Sequence, residues 1–82
     1  MSVQNIVIYG AGWCADCKRS KDYLDSNDIK YQYVDIDTVA GAADKVAEIN
    51  KGLRVIPTIV FPDGEVLLEP TNKELGEKLQ II

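Results

Sequence analysis

The sequence predicts an α/β domain in which a mixed four-stranded sheet is flanked by helices, in the order β-α-β-α-β-β-α. Three observations carry that prediction. An apolar, β-branched run over residues 3–9 stops at Gly10-Ala11-Gly12, and a stretch of helical period follows. A second alternating run over residues 31–36 is again followed by a helical segment, the strand-helix order of an α/β chain. Finally, two short apolar runs flank Pro62-Asp63-Gly64, a hairpin signal.

Each element has its own justification. The first strand is the run that contains Ile6-Val7-Ile8 and ends at Tyr9. The first helix, from about Ala15 to Ser26, places Cys17, Ser20 or Lys21, and Leu24 on one stripe, and Ser26-Asn27-Asp28 ends it. Tyr31-Gln32-Tyr33-Val34-Asp35-Ile36 suits a strand with one more exposed face. Asp37 or Thr38 is expected to cap the second helix, with Val39, Ala42 or Ala43, Val46 and Ile49 on its buried side and Gly52 closing it. Thr58-Ile59-Val60-Phe61 and Glu65-Val66-Leu67-Leu68 form antiparallel neighbours across the turn. A closing helix from Asn72 to about Leu79 turns Leu75 and Leu79 inward, and Thr71 and Asn72 stand at its cap. The first two strands, joined through a helix, must run parallel, because such crossovers are right-handed and return the chain in the same direction.

Composition narrows the function classes. A chain of 82 residues has room for one core, so a single domain over residues 1–82 is expected, and 46% hydrophobic with 27% charged residues fits a folded soluble chain. The net charge of -4 speaks against a nucleic-acid partner, which would need a basic field to hold phosphates. No apolar run approaches the roughly 20 residues of a membrane span. Met1-Ser2-Val3-Gln4-Asn5 lacks the basic and apolar regions of a secretory signal, so a cytoplasmic protein is expected. We further expect a monomer.

The chain's two cysteines lie in Trp13-Cys14-Ala15-Asp16-Cys17, at the junction of the first strand and first helix. Ligands of α/β sheets gather beyond the carboxyl ends of parallel strands, which is where this motif falls. The helix start offers free N–H groups and the positive end of a dipole, and both stabilise a thiolate on Cys14. Asp16 opposes that thiolate, whereas Lys18 and Arg19 support it. Two plainer readings stand beside redox chemistry: a pair of small buried hydrophobes, or half a zinc site. With no histidine and no third cysteine, zinc would require a dimer, and no metal site is expected. Trp13 either packs over the helix start or forms an exposed platform for a partner thiol. Lys18, Arg19 and Lys21 make either a solvated helix face or a local positive patch. Arg54 is either an exposed loop residue or a clamp for a substrate carboxylate.

Taken together, the first strand, Trp13-Cys14-Ala15-Asp16-Cys17, Val55-Ile56-Pro57-Thr58 and the Phe61-Pro62-Asp63-Gly64 hairpin resemble the glutaredoxin family of the thioredoxin superfamily. The likeness spans essentially the whole chain. With the tryptophan before the dithiol and Glu69-Pro70-Thr71-Asn72 after the hairpin, the chain is most similar in appearance to the small mycoredoxin-like members. The resemblance implies a thioredoxin fold and thiol-disulfide oxidoreductase activity, with Cys14 as nucleophile and Cys17 as resolving cysteine. It implies a cis Pro57 that leaves the Ile56 backbone facing the dithiol. With Trp13 and Arg54 in their functional readings, and the free N–H groups at the Thr71-Asn72 cap open to a ligand carboxylate, the substrate surface is expected at Trp13, Arg54, Ile56, Pro57, Thr71 and Asn72. No tightly bound cofactor is implied. The cosubstrate is a low-molecular-weight thiol, glutathione or mycothiol, and the partners are disulfide-bearing client proteins or a flavin disulfide reductase. Two departures from the glutaredoxin pattern are Pro70-Thr71 where a Gly-Gly pair is usual and Ala15-Asp16 where Pro-Tyr is common. Two alternatives stand beside this function: a thioredoxin-reductase-dependent redoxin supplying ribonucleotide reductase, and an iron-sulfur cluster carrier.

Overall fold

A computed structural model describes residues 6–81. The N-terminal segment read above for a secretory signal lies outside the described residues. The elements are β1 (Val7–Gly10), α1 (Ala15–Ser26), β2 (Gln32–Asp35), α2 (Ala42–Ile49), β3 (Thr58–Val60), β4 (Val66–Leu68) and α3 (Asn72–Leu79), in the expected order. The sheet order is β2-β1-β3-β4. As expected, β1 pairs parallel with β2, Ile8 opposite Tyr33, and β3 pairs antiparallel with β4. The remaining pairing, β1 with β3, is antiparallel and sets Ile8 opposite Ile59 and Tyr9 opposite Thr58.

The strand period of two divides these residues between two layers. Ile6, Ile8, Ile59 and Phe61 join Leu24 of α1 and Leu75 of α3 in one buried cluster. Removing a fully buried leucine such as Leu24 costs about 2–5 kcal/mol, because the surrounding atoms close the cavity only in part. Across the sheet, the Asn50 side-chain amide at the end of α2 donates to Thr58 Oγ1 at 3.1 Å. Thr58 is the partner of Tyr9, so α2 packs on the face opposite Ile8.

The start of α2 differs from the sequence expectation. Neither Asp37 nor Thr38 caps it. Asp35 Oδ1 accepts the Asp37 N–H at 2.8 Å, and the Asp35 carbonyl accepts from Thr38 and Val39, so these residues close a turn of their own. Gly41, at φ 80°, then redirects the chain, and α2 begins at Ala42 with Val39 left exposed. At the other end Asn50 is the cap, and Gly52 follows with a positive φ, its N–H returning to the Ala47 carbonyl at 2.6 Å.

The hairpin turn closes with Phe61 N–H donating to Glu65 O at 2.9 Å. Lys78 of α3 reaches this turn and pairs with Asp63 at 2.6 Å and Glu65 at 2.5 Å. Thr71 caps α3 in a reciprocal box: its Oγ1 accepts from Glu74 N–H at 3.1 Å, and Glu74 Oε1 accepts from Thr71 N–H at 2.8 Å.

Candidate active site

The β1 strand ends at Gly10, and the chain turns through Ala11-Gly12-Trp13 to Cys14, the N-cap of α1. Cys14 has an extended backbone, and its Sγ accepts the Cys17 N–H at 3.1 Å. One orphan donor of the helix start is thereby spent on sulfur. The Cα atoms of Cys14 and Cys17 are 5.2 Å apart, within the range of a disulfide, and the two sulfurs are at bonding distance. The thiols are not equivalent. Cys14 is 9% exposed and Cys17 is 0% exposed, since Cys17 lies one turn on, on the buried stripe with Ser20 and Leu24.

Around the dithiol, Ala11, Cys14 and Cys17 form a small buried cluster against which Ile56 packs. The Ile56–Pro57 peptide is cis. Pro57 itself is fully buried, and its carbonyl accepts from Glu69 N–H at 2.9 Å. On the helix side, Cys14 shares a 270 Å³ groove with Gly12, Lys18, Lys21, Asp22 and Tyr31.

The charges expected to act on Cys14 are largely engaged elsewhere. Lys18 Nζ bonds Asp22 Oδ2 at 2.8 Å, which raises the Lys18 pKa. Arg19 turns away to Asn72 Oδ1 at 2.6 Å and the Pro70 carbonyl at 2.7 Å, with Asp16 at 3.7 Å. The Cys17 amide at the helix start is therefore the stabilising group that meets Cys14 Sγ directly.

Trp13 is 74% exposed, and its indole N–H donates to Asp37 Oδ2 at 2.8 Å, so it stands on the surface next to Cys14. Arg54 is placed toward α2, 3.9 Å from Asp44 Oδ1. Thr71 and Asn72 begin α3, with the Asn72 side chain held by Arg19. The structure thus brings Ile56 to the two cysteines and sets Trp13 beside Cys14, while Arg54 and Asn72 have partners of their own. Sequence reasoning missed Gly10. A Cβ there would lie 2.7 Å from Cys17 Sγ, a contact that only the glycine break before the motif hinted at.

A dithiol that caps a helix at the end of β1, beside a buried proline before an antiparallel strand, defines a thioredoxin-fold thiol-disulfide oxidoreductase. The glutaredoxin family model matches residues 6–67. Among curated relatives, a Mycobacterium tuberculosis protein with a provisional glutaredoxin name is 40% identical over 90% of this chain and 88% of its own length. Mycoredoxin 1 of Corynebacterium glutamicum is 29% identical over 98% of this chain and 99% of its own. Among solved structures, a glutaredoxin of Archaeoglobus fulgidus superposes with a TM-score of 0.77 at 25% identity, over 92% of this chain and 85% of its own. The chain belongs to the glutaredoxin family and is similar to its small mycoredoxin-like members.

Proposed function

We propose that the protein reduces mixed disulfides between a low-molecular-weight thiol and client proteins, with Cys14 as nucleophile and Cys17 as resolving thiol. One observation carries the assignment: Cys14 Sγ accepts an amide N–H at the helix start and is the only sulfur of the pair with any exposure. The Cys14 thiolate attacks the sulfur of the small thiol, a new disulfide forms on Cys14, and the client leaves as a thiolate. A second small thiol regenerates Cys14, or Cys17 attacks Cys14 and expels the bound thiol, closing a disulfide that an external reductant opens. Trp13, Ile56 and Pro57 are read as the client surface, with the open Ile56 backbone pairing to an extended peptide. Arg54, Thr71 and Asn72 complete the substrate surface as residues that meet its polar groups.

We read the small thiol as being of the mycothiol type. The likeness to mycoredoxin 1 supports this, and so does the start of α3. Its Thr71 and Glu74 amides are already bonded within the capping box, and Glu74 adds a negative charge there, so a carboxylate-bearing peptide thiol such as glutathione meets competition.

The test is to mix the oxidised protein with mycothiol, with glutathione, or with thioredoxin reductase and NADPH, and to follow reduction. Mycothiol should be fastest; faster reduction by the flavoenzyme would make this a redoxin of the reductase-dependent kind. Cys14→Ser should abolish turnover, whereas Cys17→Ser should retain part of it and accumulate an adduct on Cys14 visible by intact mass. Turnover by Cys14→Ser would overturn the assignment.

A further inference from the structure

The Tyr33 hydroxyl is shielded from solvent and makes no hydrogen bond among the described residues. A buried phenol without a partner is unfavourable unless another state of the protein uses it. Its position indicates that state. Tyr33 pairs with Ile8 across β1 and β2, so its side chain shares a face with Ile8 and Gly10. A Cβ built on Gly10 would stand 2.7 Å from Cys17 Sγ and 2.8 Å from Tyr33 Oη. The sulfur and the hydroxyl converge on the point of β1 where the side chain is missing. Cys17 is fully buried, so no water reaches its sulfur in this structure.

We propose that the Tyr33 hydroxyl donates a hydrogen bond to the Cys17 sulfur once the Cys14–Cys17 bond is broken, which makes Tyr33 a positioning residue for the resolving thiol. This rests on the assignment of Cys14 as the attacked sulfur and Cys17 as its partner. On reduction, an incoming thiolate bonds to Cys14 Sγ, the Cys14–Cys17 bond breaks, and its electron pair remains on Cys17 Sγ. Tyr33 donates to that pair and keeps its own proton. In the reverse direction the Cys17 thiolate attacks Cys14 Sγ and the small thiol departs with the electron pair.

The groups facing Tyr33 keep it a donor. Burial, and then the charges of Asp35 on β2 and Asp37 after it, raise its pKa above the ordinary phenol value. From α1, Lys21 Nζ lies 4.0 Å from the ring centroid, a cation that acts the other way without reversing the net rise. The phenol is therefore protonated throughout the range in which a thiol titrates.

The experiment treats the reduced protein with dithiodipyridine and follows thiopyridone release by stopped flow across pH. A first release reports adduct formation on Cys14, and a second reports closure by Cys17. Tyr33→Phe should slow the second release roughly tenfold near neutral pH, the size expected for a lost bond to a charged acceptor, and move its inflection to higher pH. The first release should keep its rate. Replacing the tyrosines with a fluorinated tyrosine, a stronger donor, should speed the second release and move its inflection down. An unaltered second phase in Tyr33→Phe overturns the proposal, as does slowing of both phases in parallel with a loss of thermal stability. Cys14→Ser should lose the fast first release, because only buried Cys17 remains; a fast release that survives there would mean that the cysteine assignment, rather than the role of Tyr33, is wrong.

Discussion

The indole N–H of Trp13 donates to Asp37 Oδ2 across 2.8 Å and fastens the residue before Cys14 to the turn that follows β2. The bond is exposed, so it contributes little to global stability, yet it fixes the orientation of a large aromatic surface beside the reactive sulfur. Asp37→Ala should change unfolding free energy by no more than about 0.5 kcal/mol. Because Trp13 is the only tryptophan, its fluorescence reads the site directly. Oxidation of the dithiol should change the emission of the wild type, and Asp37→Ala should alter that response; identical spectra in all four states would remove Trp13 from the site.

Gly10→Ala tests the close approach behind Cys17. The added methyl would meet Cys17 Sγ at 2.7 Å, an atom tied to Cys14, and Tyr33 Oη at 2.8 Å, the buried tip of a rigid ring. Overpacking of this kind costs about 1–3 kcal/mol. Denaturant titration should show that loss, and the dithiol should close more slowly. A neutral substitution would mean that Cys17 and Tyr33 yield easily.

Arg19 joins α1 to the start of α3 through Asn72 Oδ1 and the Pro70 carbonyl. Arg19→Ala should destabilise the fold by about 1–2 kcal/mol, since the Pro70 bond is part-buried and the donor is charged. Arg19→Lys should recover little of it, because one ammonium does not reproduce the two-armed geometry. Urea unfolding of the three proteins at one salt concentration measures both effects.

Tyr31 supplies a pH signature. Burial first, then the bond to Asp25, push its pKa up to about 12. The folded state thus holds a proton that the unfolded chain loses near the ordinary value of 10.0. The associated stability is complete below that value and is lost as pH rises through about 12. Ultraviolet titration should find Tyr31 and Tyr33 ionising late, Tyr31→Phe should remove one of the two, and the variant should lose stability less steeply over the same alkaline range.

The residues that wrote the elements are local. The helical stripe of Cys17, Ser20 and Leu24, the Pro62-Asp63-Gly64 turn and the Thr71 cap act within a few positions of themselves, so period and capping chemistry were enough to place α1, the hairpin and α3. The dithiol was legible for the same reason, because its place at a strand-to-helix junction is a property of consecutive residues. The start of α2 was not, because Asp37 and Thr38 are good caps by type, and the choice between capping a helix and closing a turn on Asp35 was made by how the chain leaves β2. The central β1–β3 pairing, and with it the sheet order, came only with the tertiary structure, since strands distant in sequence are matched by the packing of both faces at once. Composition and spacing alone determined that this chain carries an α/β fold with a paired thiol at a helix start. Only the assembled sheet decided that Cys14 keeps its edge in solvent while Cys17 is sealed against Gly10 and Tyr33, because that difference arises from contacts between β1, β2 and α1 that no local pattern encodes.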